Sequence, residues 1–320
     1  MENLTRRELW KKTALLGAGA LALPSMLGRG LAGGPTRGRF CLFSKYLPHM
    51  EPKRLGQSVA QAGFDGIDLT VRKGGHVLPE NAARELPNAV AAIRDEGLEV
   101  PMITTELLSA LDSMAEPILS TAGKLSIPYY KPGYYRYELI DVRRELGRVG
   151  TEFRQLVHLA QKCRMQTGYH NHVRYVGAPV WDIVTLIEPM DPQWVGYYFD
   201  PRHAVAEGGV IGWKVALNLV SKRLKMVAIK DFYWERSAKG EWQQIECRLG
   251  DGMVDWDYFF RVLAQIGFWG PFSLHLEYAI PGRTPTERED NTLAAAQRDL
   301  RFLQAQLDKA HREMSATAGR

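Results

Sequence analysis

Between positions 39 and 310, apolar residues gather in short dense runs separated by longer amphipathic stretches. The runs read FCLFS (40–44), GIDLTV (66–71), VPMITTEL (100–107), YYKPGYY (129–135), MQTGYHNH (165–172), VGYYFD (195–200), KMVAIKDF (225–232) and FSLHLEY (272–278). Helical patterns lie between most of them, such as ELPNAVAAIRDEGL (85–98) and VGTEFRQLVHLAQKCR (149–164). Strands alternating with helices predict an α/β fold, a parallel sheet covered by helices. Eight such units in about 280 residues fit a closed (β/α)8 TIM barrel better than an open doubly wound sheet. No glycine-rich phosphate loop follows the first run, which argues against a dinucleotide-binding fold. The last ten residues, HREMSATAGR, read as a frayed tail, so a single barrel domain is expected over 36–310 and a tail over 311–320.

The first 35 residues have another pattern. Arg6 and Arg7 lie in TRRELWK, an apolar run extends from Ala14 to about Leu27, and small residues follow, with a cleavage site expected near Gly30-Leu31-Ala32. The run is too short and too rich in Gly and Ala for a comfortable membrane span. This resembles a twin-arginine export signal, a receptor-read address outside the fold. It implies the twin-arginine export machinery as a partner. The destination is the periplasm or another exported location, with tethering to the membrane if the signal stays uncleaved.

Composition adds mainly exclusions. Of 320 residues, 45% are hydrophobic and 24% charged, and the formal net charge is +5. The excess is mild and spread out, with no basic stripe carrying interleaved aromatics, so no nucleic-acid partner is expected. Cys41, Cys163 and Cys247 are far apart and odd in number, which gives neither a disulfide framework nor a cysteine metal site.

The polar residues are placed more tellingly. In such a barrel the reactive groups occupy the C-terminal ends of the strands. Asp68, Arg72 and His76 follow the second run; Thr104, Thr105 and Glu106 end the third; His170 and His172 end the fifth. Asp200, Arg202 and His203 end the sixth, Lys230 and Asp231 the seventh, His275 and Glu277 the eighth. Five of the eight histidines fall at these ends. Side chains two apart in a strand share a face, so His170 pairs with His172, His275 with Glu277 and Ala228 with Lys230. A buried charge is costly unless paired or metal-bound. Any one of these residues alone is readily explained by packing, and Asp68 by pairing with Arg72. Together they point to a metal or sugar site.

The motifs GFDGIDLTVRKGGH (63–76), YHNH (169–172), FDPRH (199–203), KDFYW (230–234), LGDGMVDW (249–256) and HLEY (275–278) occur in this order. The chain thereby resembles the xylose-isomerase-like sugar phosphate isomerase/epimerase superfamily of TIM barrels over about residues 38–305. The resemblance implies one divalent metal (Mn, Zn, Co or Mg) and acid/base carboxylates either side of a substrate carbon. Carried over, it implies Asp200 and Glu277 as metal ligands and puts His170, with His172 beside it, at the position of a strand-five glutamate; a set of His170 or His172, Asp200, Glu277 and His275 offers imidazole and carboxylate donors that suit a borderline metal. It implies His203 as a substrate contact. The strand-seven ligand position is held by Ala228, which cannot ligate. Lys230 offers an alternative: an ammonium in the space a metal fills, or an ion-pair partner of Asp231 or Glu277.

The chemistry implied is proton abstraction next to a carbonyl, leading to isomerisation, epimerisation or elimination on a sugar or keto-sugar. His172, Lys230 and Glu277 are the candidate catalytic groups. Arg72, His76 and His203 are candidate substrate contacts. Aromatics of 129–137 and Trp234 are candidates for stacking on a sugar face. A barrel that only binds a saccharide remains open, and Ala228 favours it. The nuclease branch needs more zinc ligands than these strands supply. The partner expected is a small-molecule carbohydrate, compatible with a homo-oligomer.

Overall fold

The computed structural model describes residues 38–318, so the twin-arginine segment expected at 1–35 lies outside the described residues. Eight parallel strands close into a barrel: β1 (Phe40–Phe43), β2 (Gly66–Thr70), β3 (Glu99–Thr104), β4 (Tyr129–Lys131), β5 (Gln166–His170), β6 (Val195–Phe199), β7 (Leu224–Ile229) and β10 (Phe272–Leu274). Order around the barrel follows the chain. The seam joins β1 to β10 through Phe40↔Phe272, Cys41↔Ser273 and Leu42↔Leu274. Each of the eight expected runs therefore carries one barrel strand.

Helices cover the outside: α1 (Pro52–Gln61), α2 (Ala82–Asp95), α3 (Ala115–Lys124), α4 (Val142–Lys162), α5 (Trp181–Ile187), α6 (Pro201–Val220), α7 (Trp256–Gln265) and α8 (Pro285–Ala318). Local chemistry starts them. Asp141 accepts from the Arg144 amide at 3.1 Å and Asp255 from the Tyr258 amide at 3.0 Å, satisfying amides that a helix start leaves unpaired. Pro201 opens α6, where no amide hydrogen is needed. Apolar stripes such as Leu86, Val90 and Ile93 on α2, or Phe259, Phe260 and Leu263 on α7, are buried against the barrel.

The interior of the barrel is layered. Met102, Tyr198, Met226 and Ala228 form a separate apolar plug, with Tyr129 packed against it. Gly168 makes room for it, since a Cβ there would lie 2.0 Å from the Met226 methyl. Two residues further along each strand, the plug gives way to Thr104, Asp200 and Lys230, all buried.

Two boundaries differ from expectation. The run 225–232 is not one strand: β7 ends at Ile229, and β8 (Asp231–Arg236) leaves the barrel to pair antiparallel with β9 (Trp242–Cys247). Asp231 fixes this exit. Its carboxylate accepts from the amides of Phe232 (2.9 Å), Gly250 (3.1 Å) and Val254 (3.2 Å) and from the Trp256 indole (2.8 Å). The motif LGDGMVDW is thus a loop wrapped on one buried carboxylate. A Cβ at Gly252 would lie 2.1 Å from Asp231 Oδ1. The second difference is at the C-terminus, where α8 continues to Ala318 and takes in most of the expected tail. Ala310 is still buried, and Arg312, Glu313, Met314 and Ala316 beyond it are good helix formers.

Candidate active site

At the C-terminal mouth a cleft opens over the polar layer, lined by residues of all eight barrel strands and their following loops. At its base is Asp200, fully buried at the end of β6. One carboxylate oxygen, Oδ1, caps α6 by accepting from the His203 amide at 3.1 Å. Asn171 clamps the backbone of Asp200 from both sides, accepting from its amide (2.7 Å) and donating to its carbonyl (2.9 Å). Oδ2 is left to face the site.

Three groups surround Oδ2: His170 Nε2 at 3.0 Å, Lys230 Nζ at 3.3 Å and His203 Nε2 at 3.6 Å. Their partners fix the protons. Tyr134 Oη is 2.8 Å from His170 Nδ1. A neutral His170 that donates from Nε2 to the carboxylate accepts at Nδ1, so Tyr134 donates. His203 Nδ1 faces the Arg202 guanidinium at 3.1 Å, which only donates, so the His203 proton is on Nε2. Burial pushes His170 down to about 3 against the opposing pull of Asp200, and burial followed by Lys230 pushes His203 well below its ordinary value. Both rings are neutral at neutral pH. Asp200 is the reverse case: burial opposes its charge, but Lys230, His203 and His170 hold it well below the usual carboxylate range.

Lys230 also reaches the second carboxylate, with Glu277 Oε1 at 3.5 Å. Lys45 lies 3.6 Å from that oxygen, and the Tyr46 hydroxyl donates to it at 3.1 Å. Burial would raise Glu277, yet Lys230 and then Lys45 outweigh it and keep the group ionised. His275 is buried between Tyr198 Oη (3.1 Å from Nε2) and the Phe43 ring, centroids 4.6 Å apart. His172 lines the cleft with its ring 3.9 Å from that of His203. It donates from Nδ1 to the Val173 carbonyl at 2.9 Å, which leaves the Nε2 lone pair free. Burial and then Lys230 push His172 down to about 4.

The expected residues separate into three groups. His170, His172, Lys230, His275 and Glu277 line the cleft, with Asp200 and His203 directly behind them. Arg72 is at the rim, 3.7 Å from Glu106. Asp68 does not pair with it directly; it accepts from Thr104 (2.8 Å) and Ser273 (2.7 Å) inside the barrel. His76 is outside the lining: its nitrogens face Thr70 Oγ1 and the Leu47 carbonyl, both at 3.1 Å, stapling the loop after β2. Ala228 belongs to the apolar plug, one layer below; the β7 residue that reaches the gap between the carboxylates is Lys230. Sequence reasoning passed over Lys45, Tyr46, Lys131 and the specific role of Tyr134. Lys131 did carry a signal, as the one charged residue inside the run YYKPGYY.

Ligand atoms of His170, Asp200 and His203 lie within 4.8 Å of one another, the arrangement that can hold a metal ion. As arranged, this group does not fit a divalent cation. His170 directs an N–H, not a lone pair, at Asp200 Oδ2, the His203 Nε2–H lies 3.6 Å from that oxygen without a hydrogen-bond partner, and the Lys230 ammonium occupies the side facing Glu277. A dication there would need both proton positions reversed, against the Arg202 donor behind His203, and would stand beside a fixed positive charge.

A family model described as xylose isomerase-like TIM barrel matches residues 57–306. None of the curated proteins matches the chain. Among solved structures, the chain is similar to an L-ribulose 3-epimerase (TM-score 0.65, 17% identity, covering 88% of this chain and 99% of that one). It is similar to a 3-keto-D-glucoside 4-epimerase from E. coli (TM-score 0.61, 15% identity, 84% and 100% covered). A third is a xylose isomerase-like TIM barrel protein from Mycobacterium smegmatis in complex with magnesium (TM-score 0.64, 17% identity, 86% and 98% covered).

Proposed function

The chain belongs to the xylose isomerase-like TIM barrel family, and on that premise we propose that it is a carbohydrate isomerase or epimerase acting next to the carbonyl of a keto-sugar, with Lys230 as its cationic group. The observation that carries this reading is the Lys230 ammonium, 3.3 Å from Asp200 and 3.5 Å from Glu277 at the base of an open cleft. Removal of a proton next to a carbonyl builds negative charge on the carbonyl oxygen. A fixed ammonium in a partly dehydrated site stabilises that charge without reorganisation. The epimerases of L-ribulose and 3-keto-D-glucoside that share the fold support a keto-sugar as the substrate class.

The remaining groups divide the proton work. His172 is neutral and has a free Nε2, so it serves as the base. Glu277 is the second carboxylate on the cleft wall. Tyr134 donates to His170, which donates to Asp200, a chain that fixes the His170 tautomer and keeps Asp200 ionised beside Lys230. Arg72 at the rim orients substrate hydroxyls. Elimination of a β-substituent from the same enediolate is the lyase variant of this chemistry. Because His172 titrates near 4, the acid limb of the pH–rate profile is expected near pH 4, not at the ordinary histidine value of about 6.5. Export is proposed separately, on Arg6, Arg7 and the apolar run after them. It is tested by fusing residues 1–35 to a reporter in hosts with and without the twin-arginine pathway.

A panel of L-ribulose, D-tagatose, D-psicose and a 3-keto-glucoside tests the activity. Lys230→Met is expected to lower kcat/KM at least about 100-fold, the usual scale for one oxyanion donor. Glu277→Gln, an isosteric change at a partly buried position, gives a second variant should Lys230→Met not fold. Turnover unchanged in both variants overturns the proposal. A second reading, a barrel that binds a saccharide without turning it over, predicts binding of panel members with no conversion.

A further inference from the structure

The mouth holds a second buried lysine that the proposed proton chemistry does not use. Lys131 is the last residue of β4, and its side chain is 2% exposed and lines the same cleft as Lys230. Among the described residues its ammonium makes neither an ion pair nor a hydrogen bond. Its one close partner is the face of the Tyr134 ring, with Nζ 3.4 Å from the centroid. Other lysines of the barrel end are paired: Lys230 with two carboxylates, Lys45 with Glu277. We propose that Lys131 is a nucleophilic amine, which condenses with the carbonyl of a sugar in the cleft to form an imine. This inference rests on the keto-sugar reading above and adds a covalent step to it.

Nucleophilicity needs a free lone pair, and the surroundings supply it. An unpaired ammonium in a dry site is costly, so the neutral amine is favoured. Burial pushes Lys131 well below its ordinary value; Arg72 and Lys230 add to this, while Asp68 and Glu106 oppose it. The chemistry balances without an external reagent. The Nζ lone pair forms a bond to the carbonyl carbon, and the C–O π pair moves to oxygen. One N–H proton passes to that oxygen, giving a carbinolamine. The hydroxyl then leaves with the second N–H proton as water, giving the imine. Once protonated, such an imine draws electrons from the neighbouring C–H bond, the role a Lewis acid otherwise fills. Lys230 is unsuited to this step, because two carboxylates hold its ammonium.

The test uses the full chain with each panel sugar and sodium cyanoborohydride, which reduces an imine to a stable secondary amine. Peptide mapping then locates the adduct, one sugar less one oxygen. The expected result is saturable labelling of the Lys131 peptide, at least ten-fold above any other lysine peptide, and lost in Lys131→Met. Mapping the unmodified sequence carries the test even if that variant does not fold. Calorimetry with the same sugars separates two failures. A sugar that binds without labelling Lys131 overturns the covalent step and leaves the keto-sugar reading standing. No binding by any carbonyl sugar overturns both.

Discussion

Oδ2 of Asp200 receives the His170 N–H and the Lys230 ammonium, with His203 Nε2 3.6 Å away, and each of the three depends on a residue further out: Tyr134 behind His170, Arg202 behind His203, Glu277 beyond Lys230. Such a nest holds a carboxylate charged in a dry place. Removing one member leaves a buried charge uncompensated, typically at about 3–5 kcal/mol. Asp68, one layer deeper, behaves oppositely. Burial raises it to about 6, against hydrogen bonds from Ser273 and Thr104 that favour the ion. The folded chain therefore takes up this proton at higher pH than the unfolded chain does. Between about pH 6 and pH 4 its contribution to stability grows as pH falls, by about 3 kcal/mol in total. The Asp68→Asn variant lacks that gain. Urea midpoints should favour the variant near pH 7 and swing towards the wild type by about this amount at pH 4. Parallel curves would contradict the assignment.

At the scale of elements, the loop and hairpin after β7 depend on one side chain. Asp231→Ala would strand four N–H donors, three of them backbone, and Gly252→Ala would push a methyl group into the space of the carboxylate. Each is expected to cost at least about 3 kcal/mol, read from chemical denaturation, since each buried donor left unpaired costs about 1–3 kcal/mol. The same feature marks what the sequence does and does not convey. Eight apolar runs named eight barrel strands, because a strand buried on both faces must be apolar along its length. The runs could not show that 225–232 turns out of the barrel at Lys230, because the cause is a carboxylate bonded to amides about twenty residues away. Lysine and aspartate side by side read as one charged end; in the fold Lys230 faces the mouth and Asp231 faces the loop. His76 misled for a related reason. Its place after a strand is that of a rim residue, but Thr70 and the Leu47 carbonyl, a long-range partner, use both its nitrogens. Lys131 was passed over because a lysine amid tyrosines reads as a solvent-facing position, and only barrel closure buries it.

For the whole molecule, the fold is that of its family. Among the described residues no helix is long and apolar enough to cross a membrane. The polar layer carries two lysines and a rim arginine around two ionised carboxylates, with neutral imidazoles filling the gaps. That arrangement suits an anionic intermediate and leaves no vacant pair of carboxylates for a dication. The central claim is that Lys230 supplies the positive charge for proton removal next to a carbonyl. The most direct measurement is solvent deuterium incorporation into L-ribulose and a 3-keto-glucoside in D2O, using protein dialysed against a chelator and checked for metal by elemental analysis. The account predicts incorporation at the carbon next to the carbonyl by the metal-free protein, lost in Lys230→Met. Incorporation that disappears with the chelator and returns with added manganese or magnesium would contradict it.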